Sequence, residues 1–318
     1  MSVILAKRQP GGHLFGGSHT DDKTARVGDY LPAFNIALKK QGFRRVYIDG
    51  CAGSGERTQT WPAMPLLDGE AAALQAVSVP GSARLAIQAT PPFDRYYFIA
   101  KDENHCAALQ HVAADFPDRS IECHCADANV LIQRICRETQ WRGRVGIRGV
   151  AFLDPYGMQI GWETVEAIAR TRAIDCWYFF PLMGLYRQAA NSAPDINERK
   201  QERLNWVLGT SEWRRAWYST PHGPFDLFGD PAEAIRIADV DAIERFVKTR
   251  LESVFKGGVL EPLRYRGARG HPVGSLFFAI SNPHAALLAS RIASSVLRRP
   301  WSTHQPPNPT FPGLAGGL

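Results

Sequence analysis

The sequence predicts an α/β fold, a doubly wound and mostly parallel sheet with a C-terminal antiparallel hairpin and a helical insertion. Three observations support this fold class. Short runs of β-branched and aromatic residues alternate with helical segments between residues 46 and 181. The first run ends in an acid and a glycine turn, as strands do at the ligand-binding edge of such sheets. Two further runs, at 259–265 and 275–280, are joined by a short turn and predict the hairpin.

Length and composition favour one large domain. The chain has 318 residues, of which 45% are hydrophobic, so it can bury a substantial core. We predict a single domain over residues 18–300, with Pro- and Gly-rich tails at 1–17 and 300–318. No apolar run approaches the roughly 18 residues that a membrane-spanning helix needs, so no membrane association is expected, and no signal peptide is indicated. The six cysteines are expected to be reduced, and the predicted location is the cytoplasm.

The elements at the start of the domain follow a simple order. A helix over about residues 20–42 precedes the first strand at 46–48. The glycine turn comes next. Beyond it the sequence predicts a loop at 56–69, a helix at 70–77 and an irregular segment at 80–94.

Later strands and helices alternate, which is the pattern of a doubly wound sheet. The strands and strand-plus-turn segments are predicted at 96–100, 121–125, 149–157 and 175–181, and the helices at 105–116, 130–139 and 163–170. Residues 184–234 are predicted to form a mostly helical insertion over the C-terminal edge of the sheet, as a lid or a docking surface. A helix at 239–255 leads into the closing hairpin.

The turn after the first strand is the most informative motif. Asp49 ends the strand, and Gly53-Ser54-Gly55 follows. A strand, an acid and a glycine turn present backbone N–H groups to a nucleotide-like ligand, while the alternative is a strand-to-turn connection with incidental glycines. The third glycine of a dinucleotide-binding motif is replaced by Thr58, and no Gly-Lys-Ser/Thr follows, so neither a dinucleotide fingerprint nor a P-loop is predicted.

The segment from Asp49 to Gly55 resembles the first motif of class I S-adenosylmethionine-dependent methyltransferases. It is most similar to the Asp-x-Phe-x-Gly-Ser-Gly variety of the amino-methyltransferases that act on DNA and RNA. The resemblance implies S-adenosylmethionine as the cofactor. It places the backbone of Gly53 and Gly55 near the methionine moiety, with Ser54 between them, and Asp49 near the cofactor amine.

The order of motifs along residues 15–295 resembles the three-Cys-motif partner proteins (TcmP), a bacterial family with a class I methyltransferase-like fold. The matching positions are Lys23, Tyr47-Ile48-Asp49, Gly53-Ser54-Gly55, Phe98, Ile99, Lys101-Asp102, Asp127-Ala128-Asn129, Phe152 to Gly157, Trp162, Phe180-Pro181, Gly184 and Arg187. The resemblance implies the fold and the cofactor, and it suggests a radical-SAM-like protein as partner. It implies no substrate.

Acids after the next two strands complete the predicted cofactor site. The family tends to place an acid that binds the ribose hydroxyls where this chain has Ala100, so the chain departs from the family pattern there, and Asp102 or Glu103 is expected to take over that role. Asp127, followed by Ala128, matches the acid that binds the adenine amino group. The alternative for Asp127 is a helix N-cap.

The turn Asp154-Pro155-Tyr156 is the predicted catalytic site. It is similar to the Asp-Pro-Pro-Tyr/Phe turn of amino-methyltransferases, in which the acid and a backbone carbonyl accept hydrogen bonds from the target amine and the ring stacks on a flipped base. Here the second proline is absent and Tyr156 comes one place early. The alternative is a strand-terminating turn with a capping acid.

Two further groups of residues bear on metal and nucleic-acid binding. His and Cys residues between 105 and 125 invite a zinc site, but no Cys-x-x-Cys pair occurs, and no metal is predicted. The basic balance, 37 Lys and Arg against 31 acids for a formal net charge of +6, permits nucleic-acid binding without proving it. A cluster of arginines around Tyr265 favours phosphate contact and base stacking through Arg264, Arg266 and Arg269.

Two hypotheses follow from the sequence. The first is an S-adenosylmethionine-dependent methyltransferase acting on nucleic acid, DNA or RNA, with an exocyclic amine as a candidate target. The second is a non-catalytic partner subunit that uses the same fold to bind nucleic acid or to position a radical-SAM-like enzyme. The intact glycine turn favours the first hypothesis, whereas Ala100 and the shortened Asp-Pro-Tyr turn favour the second.

Overall fold

A mostly parallel sheet of eight strands forms the centre of the molecule. The structure is a computed structural model that describes residues 18–61, 75–143, 145–220, 233–267 and 270–300. In chain order the strands of this part are β1 (Arg44–Asp49), β2 (Glu56–Trp61), β3 (Gln75–Pro80), β4 (Arg95–Ala100), β5 (Ile121–Cys125), β6 (Ile147–Leu153), β7 (Ile174–Phe180), β8 (Tyr218–Ser219), β9 (Ile235–Arg236), β10 (Gly258–Val259), β11 (Leu263–Arg266) and β12 (Pro272–Ile280).

The helices alternate with these strands. They are α1 (Ser18–Lys39), α2 (Ser82–Gln88), α3 (Glu103–Ala114), α4 (Ala128–Glu138), α5 (Trp162–Thr171), α6 (Leu182–Gln188), α7 (Glu198–Leu208), α8 (Trp213–Trp217), α9 (Val240–Val254) and α10 (Ala286–Leu297). None of the helices in the described ranges is both long and apolar enough to cross a membrane.

The sheet has the strand order β10-β12-β7-β6-β1-β4-β5, with β11 also paired to β12. The strands β5, β4, β1, β6 and β7 run parallel, and β12 runs antiparallel to β7, β10 and β11. The predicted α/β class, its parallel sheet and its closing antiparallel hairpin are therefore confirmed. The chain moves outward from β1 in both directions, so the strand order reverses between β1 and β6.

Helices cover both faces of the sheet, and the alternation of side chains along β7 shows how the two cores form. Trp177 and Phe179 point into an aromatic core beneath α1, α2, α3 and α10. Cys176, Tyr178 and Phe180 point to the opposite face, where α4 to α9 pack. All seven residues of β7 are buried, as expected for a parallel strand covered on both faces.

The segment between β1 and β4 differs from the prediction. Instead of a loop at 56–69 and a helix at 70–77, the described part contains the antiparallel pair β2–β3, followed by α2 within the stretch predicted to be irregular. The apolar residues near 70–77 suggested a helix, but Val77 and Val79 are β-branched and fit the strand that pairs with β2. Residues 62–74 lie outside the described part.

The predicted insertion is helical in part. Within 184–234 lie most of α6, together with α7, α8 and strand β8, which pairs with β9 just beyond it. Helix α7 packs against α5 and α6, and α8 packs against α9, so these helices extend the layer on one face of the sheet. Arg203 of α7 donates a hydrogen bond to the Met158 carbonyl, which connects the insertion to the loop after β6. Residues 221–232 and the tails 1–17 and 301–318 lie outside the described part.

Candidate functional site

The turn after β1 has the backbone conformation that its glycines were predicted to supply. Gly53 and Gly55 have φ values of 56° and 74°, in the left-handed region that side chains disfavour. A Cβ on Gly55 would press against Leu109 and Val112 of α3, whereas a Cβ on Gly53 would meet no atom within 4 Å. Gly55 is therefore a packing glycine, and Gly53 borders open space. Ser54 lies between them.

Asp49 lies fully buried at the end of β1. Its Oδ1 accepts a hydrogen bond from the Cys51 amide at 3.2 Å, while Oδ2 has no hydrogen-bond partner of good geometry among the described residues. Burial raises the pKa of this carboxyl to about 7, although Ser82 and the Cys51 amide lower it and the nearby charge of Asp154 raises it. A buried carboxyl oxygen without a donor is costly unless a ligand or water supplies one.

Asp154 follows β6, the strand next to β1. Lys23 of α1 donates to its Oδ1 at 2.5 Å, and the two side chains are only 8% and 18% exposed. The Lys23 ammonium also lies 3.9 Å from the centre of the Phe179 ring, a cation–π contact that fixes its position further. Lys23 was predicted only as a match to a family motif, and the structure adds it to the site.

Asp49 and Asp154 come together because their strands are parallel neighbours. Asp49 pairs in register with Phe152, and the Gly50 amide donates to the Phe152 carbonyl at 2.9 Å. Both acids thus lie at the carboxyl ends of β1 and β6, where the strand order reverses. In open α/β sheets this reversal opens a crevice in which ligands bind.

The other two residues of the predicted catalytic turn differ in their exposure to solvent. Pro155 is buried, whereas the Tyr156 side chain is 80% exposed. Gly157 follows with a φ of 73°. Tyr156 is thus a large aromatic side chain presented to solvent next to Asp154, an arrangement that favours contact with a ligand over a role in the core.

Asn129 holds the loop after β6 in place, a function that the sequence did not reveal. Its side-chain Nδ2 donates to the Gln159 carbonyl at 2.9 Å, and its Oδ1 accepts from the backbone amide of Gly161 and from the Thr164 hydroxyl, both at 2.8 Å. These bonds connect the start of α4 to the middle and the end of the segment between Tyr156 and α5, and to the first turn of α5. The only sequence signal was its place in the motif Asp127-Ala128-Asn129.

The two remaining predicted cofactor acids are helix caps. Asp102 accepts from the His105 amide at the start of α3, and this bond lowers the pKa of its exposed carboxyl. Asp127 accepts from the Asn129 amide at the start of α4, where Ala128 is the first helical residue, and Lys101 lies 3.6 Å from its carboxylate. The alternative left open for Asp127 is therefore observed, and the cofactor contacts of these residues stay predictions.

The arginines of the hairpin are engaged differently from the prediction. Arg264 pairs with Asp241 and Glu244 of α9, and its Nε lies 3.1 Å from a Glu244 oxygen. The Tyr265 ring is buried, and its hydroxyl donates to Asp22 at 2.6 Å, so the expectation that this ring stacks on a base is wrong.

Only one of the other two arginines lies in the part of the chain that the structure describes. Arg266 donates to the Gly270 carbonyl from an exposed position. Arg269 lies outside the described residues. Because Arg264 already has two carboxylate partners, its placement argues against phosphate contact, whereas Arg266 keeps that role as a prediction.

The cysteine and histidine residues do not gather into a metal centre in the part of the chain that the structure describes. No group of three His, Cys, Asp or Glu side chains there converges closely enough to hold a metal ion. All six cysteines are free thiols.

Comparisons with known proteins identify no family for this chain. No family model and no curated protein matches the chain. It is similar to the solved protein LPL1258 from Legionella pneumophila, of the DUF519 family model, with 12% identity, a TM-score of 0.48 and coverage of 90% of this chain and 92% of that one. It is also similar to WbdD, solved with the kinase inhibitor LY294002, with 11% identity, a TM-score of 0.31 and coverage of 81% and 61%.

At these scores neither likeness supports a functional argument. The resemblance to three-Cys-motif partner proteins therefore stays a prediction.

Proposed function

We propose that this protein is an S-adenosylmethionine-dependent methyltransferase that acts on nucleic acid, with an exocyclic amine as the target group. One observation carries the proposal. The buried acid Asp49, the open glycine turn at Gly53 and the acid Asp154 converge at the point where the strand order reverses. The closing antiparallel hairpin of β11 and β12 also agrees with the sheet that the methyltransferase resemblance implies.

The residues at this crevice fit the proposed cofactor. Oδ2 of Asp49, which no described donor reaches with good geometry, offers a buried acceptor for the cofactor's ammonium group, and the space beside Gly53 would accommodate the methionine moiety. Asp102 would bind the ribose hydroxyls through the oxygen that does not cap α3. When bound, the cofactor supplies an electrophilic methyl group on a sulfonium centre.

Asp154 would orient the target amine. Lys23 holds Oδ1 and leaves Oδ2 to accept a hydrogen bond from an incoming N–H. Since methyl transfer requires the nucleophile and the methyl carbon to be in line at about 3–3.5 Å, fixing the amine is the main contribution that this carboxylate can make. Pro155 is buried and restricts the backbone of the turn.

Tyr156 would contact the base that carries this amine. A base must leave the helical stack, or lie in a single strand, before an enzyme can reach its exocyclic nitrogen. An exposed ring beside Asp154 offers a stacking surface that accepts any base. In this proposal Tyr156 takes the base-stacking role that was first expected of Tyr265, because the Tyr265 ring is buried.

A second function is favoured by a different observation. Asp102 and Asp127, the acids expected to hold ribose and adenine, both cap helices, and Ala100 is buried where an acid was expected. A protein with these features could use the crevice only weakly for the cofactor. It would then serve as a non-catalytic subunit that binds nucleic acid or a radical-SAM-like partner.

Transfer of labelled methyl groups separates the two functions. We expect purified protein with S-adenosylmethionine to label DNA or RNA, and Asp154→Asn to abolish the labelling. Asp175→Asn is the control, because Asp175 is also an acid of the central sheet, and a more deeply buried one, but it lies near the start of β7, at the end of the parallel strands opposite to Asp154. Labelling of no nucleic acid pool would reject the enzymatic proposal, and loss of labelling in both variants would remove the role assigned to Asp154.

A further inference from the structure

Two thiols meet beside the loop that follows β4. Cys106 lies in the first turns of α3, and Cys125 is the last residue of β5, in register with Ala100. The Cys106 thiol donates to the Ala100 carbonyl at 3.4 Å, and the Cys125 thiol donates to the Lys101 carbonyl at 3.9 Å. The two acceptors are consecutive carbonyls at the end of β4, and the Cys125 side chain is also a hydrogen-bonding neighbour of the Cys106 thiol, so the two thiols lie next to each other.

The two thiols differ in exposure. Cys125 is exposed to solvent, whereas Cys106 is buried. Burial raises the pKa of Cys106 well above that of an ordinary thiol, and the neighbouring Cys125 side chain adds to the increase. An exposed thiol that can meet an oxidant, next to a buried thiol that cannot, is the arrangement of an attacking and a resolving cysteine.

We propose that Cys106 and Cys125 form an oxidisable pair, a modification site that closes into an intramolecular disulfide when the protein meets a peroxide. The Cys125 thiolate attacks one peroxide oxygen and breaks the O–O bond, which yields a sulfenic acid and, after protonation of the leaving oxygen, water. The Cys106 sulfur then attacks the sulfenic sulfur, and the displaced hydroxide leaves as water with the Cys106 proton. Two thiols and one hydrogen peroxide become one disulfide and two waters.

The bond would connect the end of β5 to α3 across Lys101 and Asp102. The Cys106 amide already donates to the Asp102 carbonyl at 3.0 Å, so the cross-link would restrain a loop that is now held by backbone bonds and by the Asp102 cap. The inference concerns the thiols alone, and it holds whether or not the crevice binds a methyl donor.

Cys123 is the competing partner. It lies two residues before Cys125 on the same face of β5, is half-buried, and has its pKa raised by burial. Cys136 and Cys176 pack in the core on the opposite face of the sheet. A specific pair therefore requires that Cys106 joins Cys125 and not Cys123.

Peptide mapping of the full chain after treatment with equimolar hydrogen peroxide tests the proposal. Trypsin cuts after Lys101, Arg119 and Arg134, so Cys106 lies in peptide 102–119, and Cys123 and Cys125 lie in peptide 120–134. We expect these two peptides to be linked without reductant, with the intact mass lower by two hydrogen atoms. Cys123→Ser should still form the link, and Cys125→Ser should not.

Cys106→Ser provides a further arm, since it should leave a Cys125 sulfenic acid that dimedone can trap. Three results would overturn the inference: a link that Cys123→Ser removes, trapping of a persistent sulfenic acid in the unmodified sequence, or disulfides only between molecules. Because Cys125 is exposed, its substitution should leave the fold intact, and a circular dichroism melt checks this.

Discussion

The ammonium of Lys23 lies 2.5 Å from Oδ1 of Asp154, and this ion pair joins residues 131 positions apart. It connects α1, the helix that precedes the sheet, to the end of β6 at the centre of the sheet. Both side chains are largely buried, and the Phe179 ring supports the ammonium from one side. The pair therefore has a structural role as well as a place in the candidate site.

Removal of the cation should destabilise the protein strongly. Lys23→Met leaves Asp154 without its buried partner, which costs about 3–5 kcal/mol in comparable pairs. The control is Arg299→Met. Arg299 pairs with Asp29, which lies on α1 like Lys23, but both side chains of this pair are about half exposed. That change should cost only about 0–1 kcal/mol. Urea unfolding measures both, and similar losses would contradict the burial argument.

Asp49 should make stability fall as the pH rises. Its folded-state pKa of about 7 exceeds the ordinary value of 3.8, so the folded state binds the proton more tightly than the unfolded state between these values. The unfolding free energy contributed by this group is therefore largest below about pH 4 and decreases towards pH 7. As the pH rises from about 4 to 7, the free energy of unfolding of Asp49→Asn should increase relative to that of the unmodified protein by on the order of 2–4 kcal/mol.

Urea unfolding at several pH values checks this sign. Asp102→Asn is the control with the opposite trend, because a hydrogen bond from the His105 amide lowers the pKa of that carboxyl. In the unmodified protein the Asp102 carboxylate stabilises the folded state above the ordinary pKa of Asp, and this stabilisation is lost as the pH falls. The free energy of unfolding of Asp102→Asn should therefore increase less with rising pH than that of the unmodified protein. If the difference in unfolding free energy between Asp49→Asn and the unmodified protein did not change with pH, the effect assigned to the burial of Asp49 would be contradicted.

Tyr156 should matter for nucleic-acid binding and not for folding. Because its side chain is 80% exposed, Tyr156→Ala should change the unfolding free energy by no more than about 0.5 kcal/mol. Loss of a stacked base should weaken binding of a fluorescent single-stranded oligonucleotide by about 1–3 kcal/mol, measured by anisotropy. Tyr156→Phe keeps the ring and should bind normally. Equal affinity of the Ala and Phe variants would remove Tyr156 from the proposed interface.

The two described hairpin arginines should behave in opposite ways. Arg264→Gln removes the partner of Glu244, a carboxylate that also accepts a hydrogen bond from Ser275, and should cost about 1–3 kcal/mol in stability. It should leave the salt dependence of oligonucleotide binding unchanged. Arg266→Gln should fold normally and, if Arg266 contacts a phosphate, reduce the salt slope by about 1. A reduced slope for Arg264→Gln would restore the original prediction.

The parallel core of the fold could be predicted because its signals are local. The buried strands β1, β4, β6 and β7 contain hydrophobic runs, and Asp49 ends the first of them while Asp154 directly follows β6. Gly53 and Gly55 could be predicted as turn residues because only glycine enters the left-handed region readily. The cap formed by Asp127 was visible as an alternative, since an Asp before a helix is a common N-cap, whereas the cap formed by Asp102 was not predicted.

The remainder depends on contacts between distant parts of the chain. Nothing near Lys23 in the sequence indicates that its partner is Asp154, and nothing near Arg264 indicates that α9 brings Asp241 and Glu244 to it. The burial of Tyr265 likewise follows from packing under α1, where its hydroxyl reaches Asp22. The pair β2–β3 was not predicted, because the short apolar segment at 70–77 fits a helix as well as a strand.

Calorimetric titration with S-adenosylhomocysteine, the demethylated product, tests the crevice as a methyl-donor site most directly. Gly53→Ala and Gly42→Ala make a matched pair, because both residues have positive φ values and a Cβ on either would meet no atom within 4 Å. Each change should therefore cost a similar backbone strain of roughly 1–2 kcal/mol, but only Gly53 borders the crevice. We predict micromolar binding to the unmodified protein and to Gly42→Ala, with loss of binding in Gly53→Ala. No binding at millimolar ligand, or equal binding to both variants, would contradict a methyl-donor site at this turn.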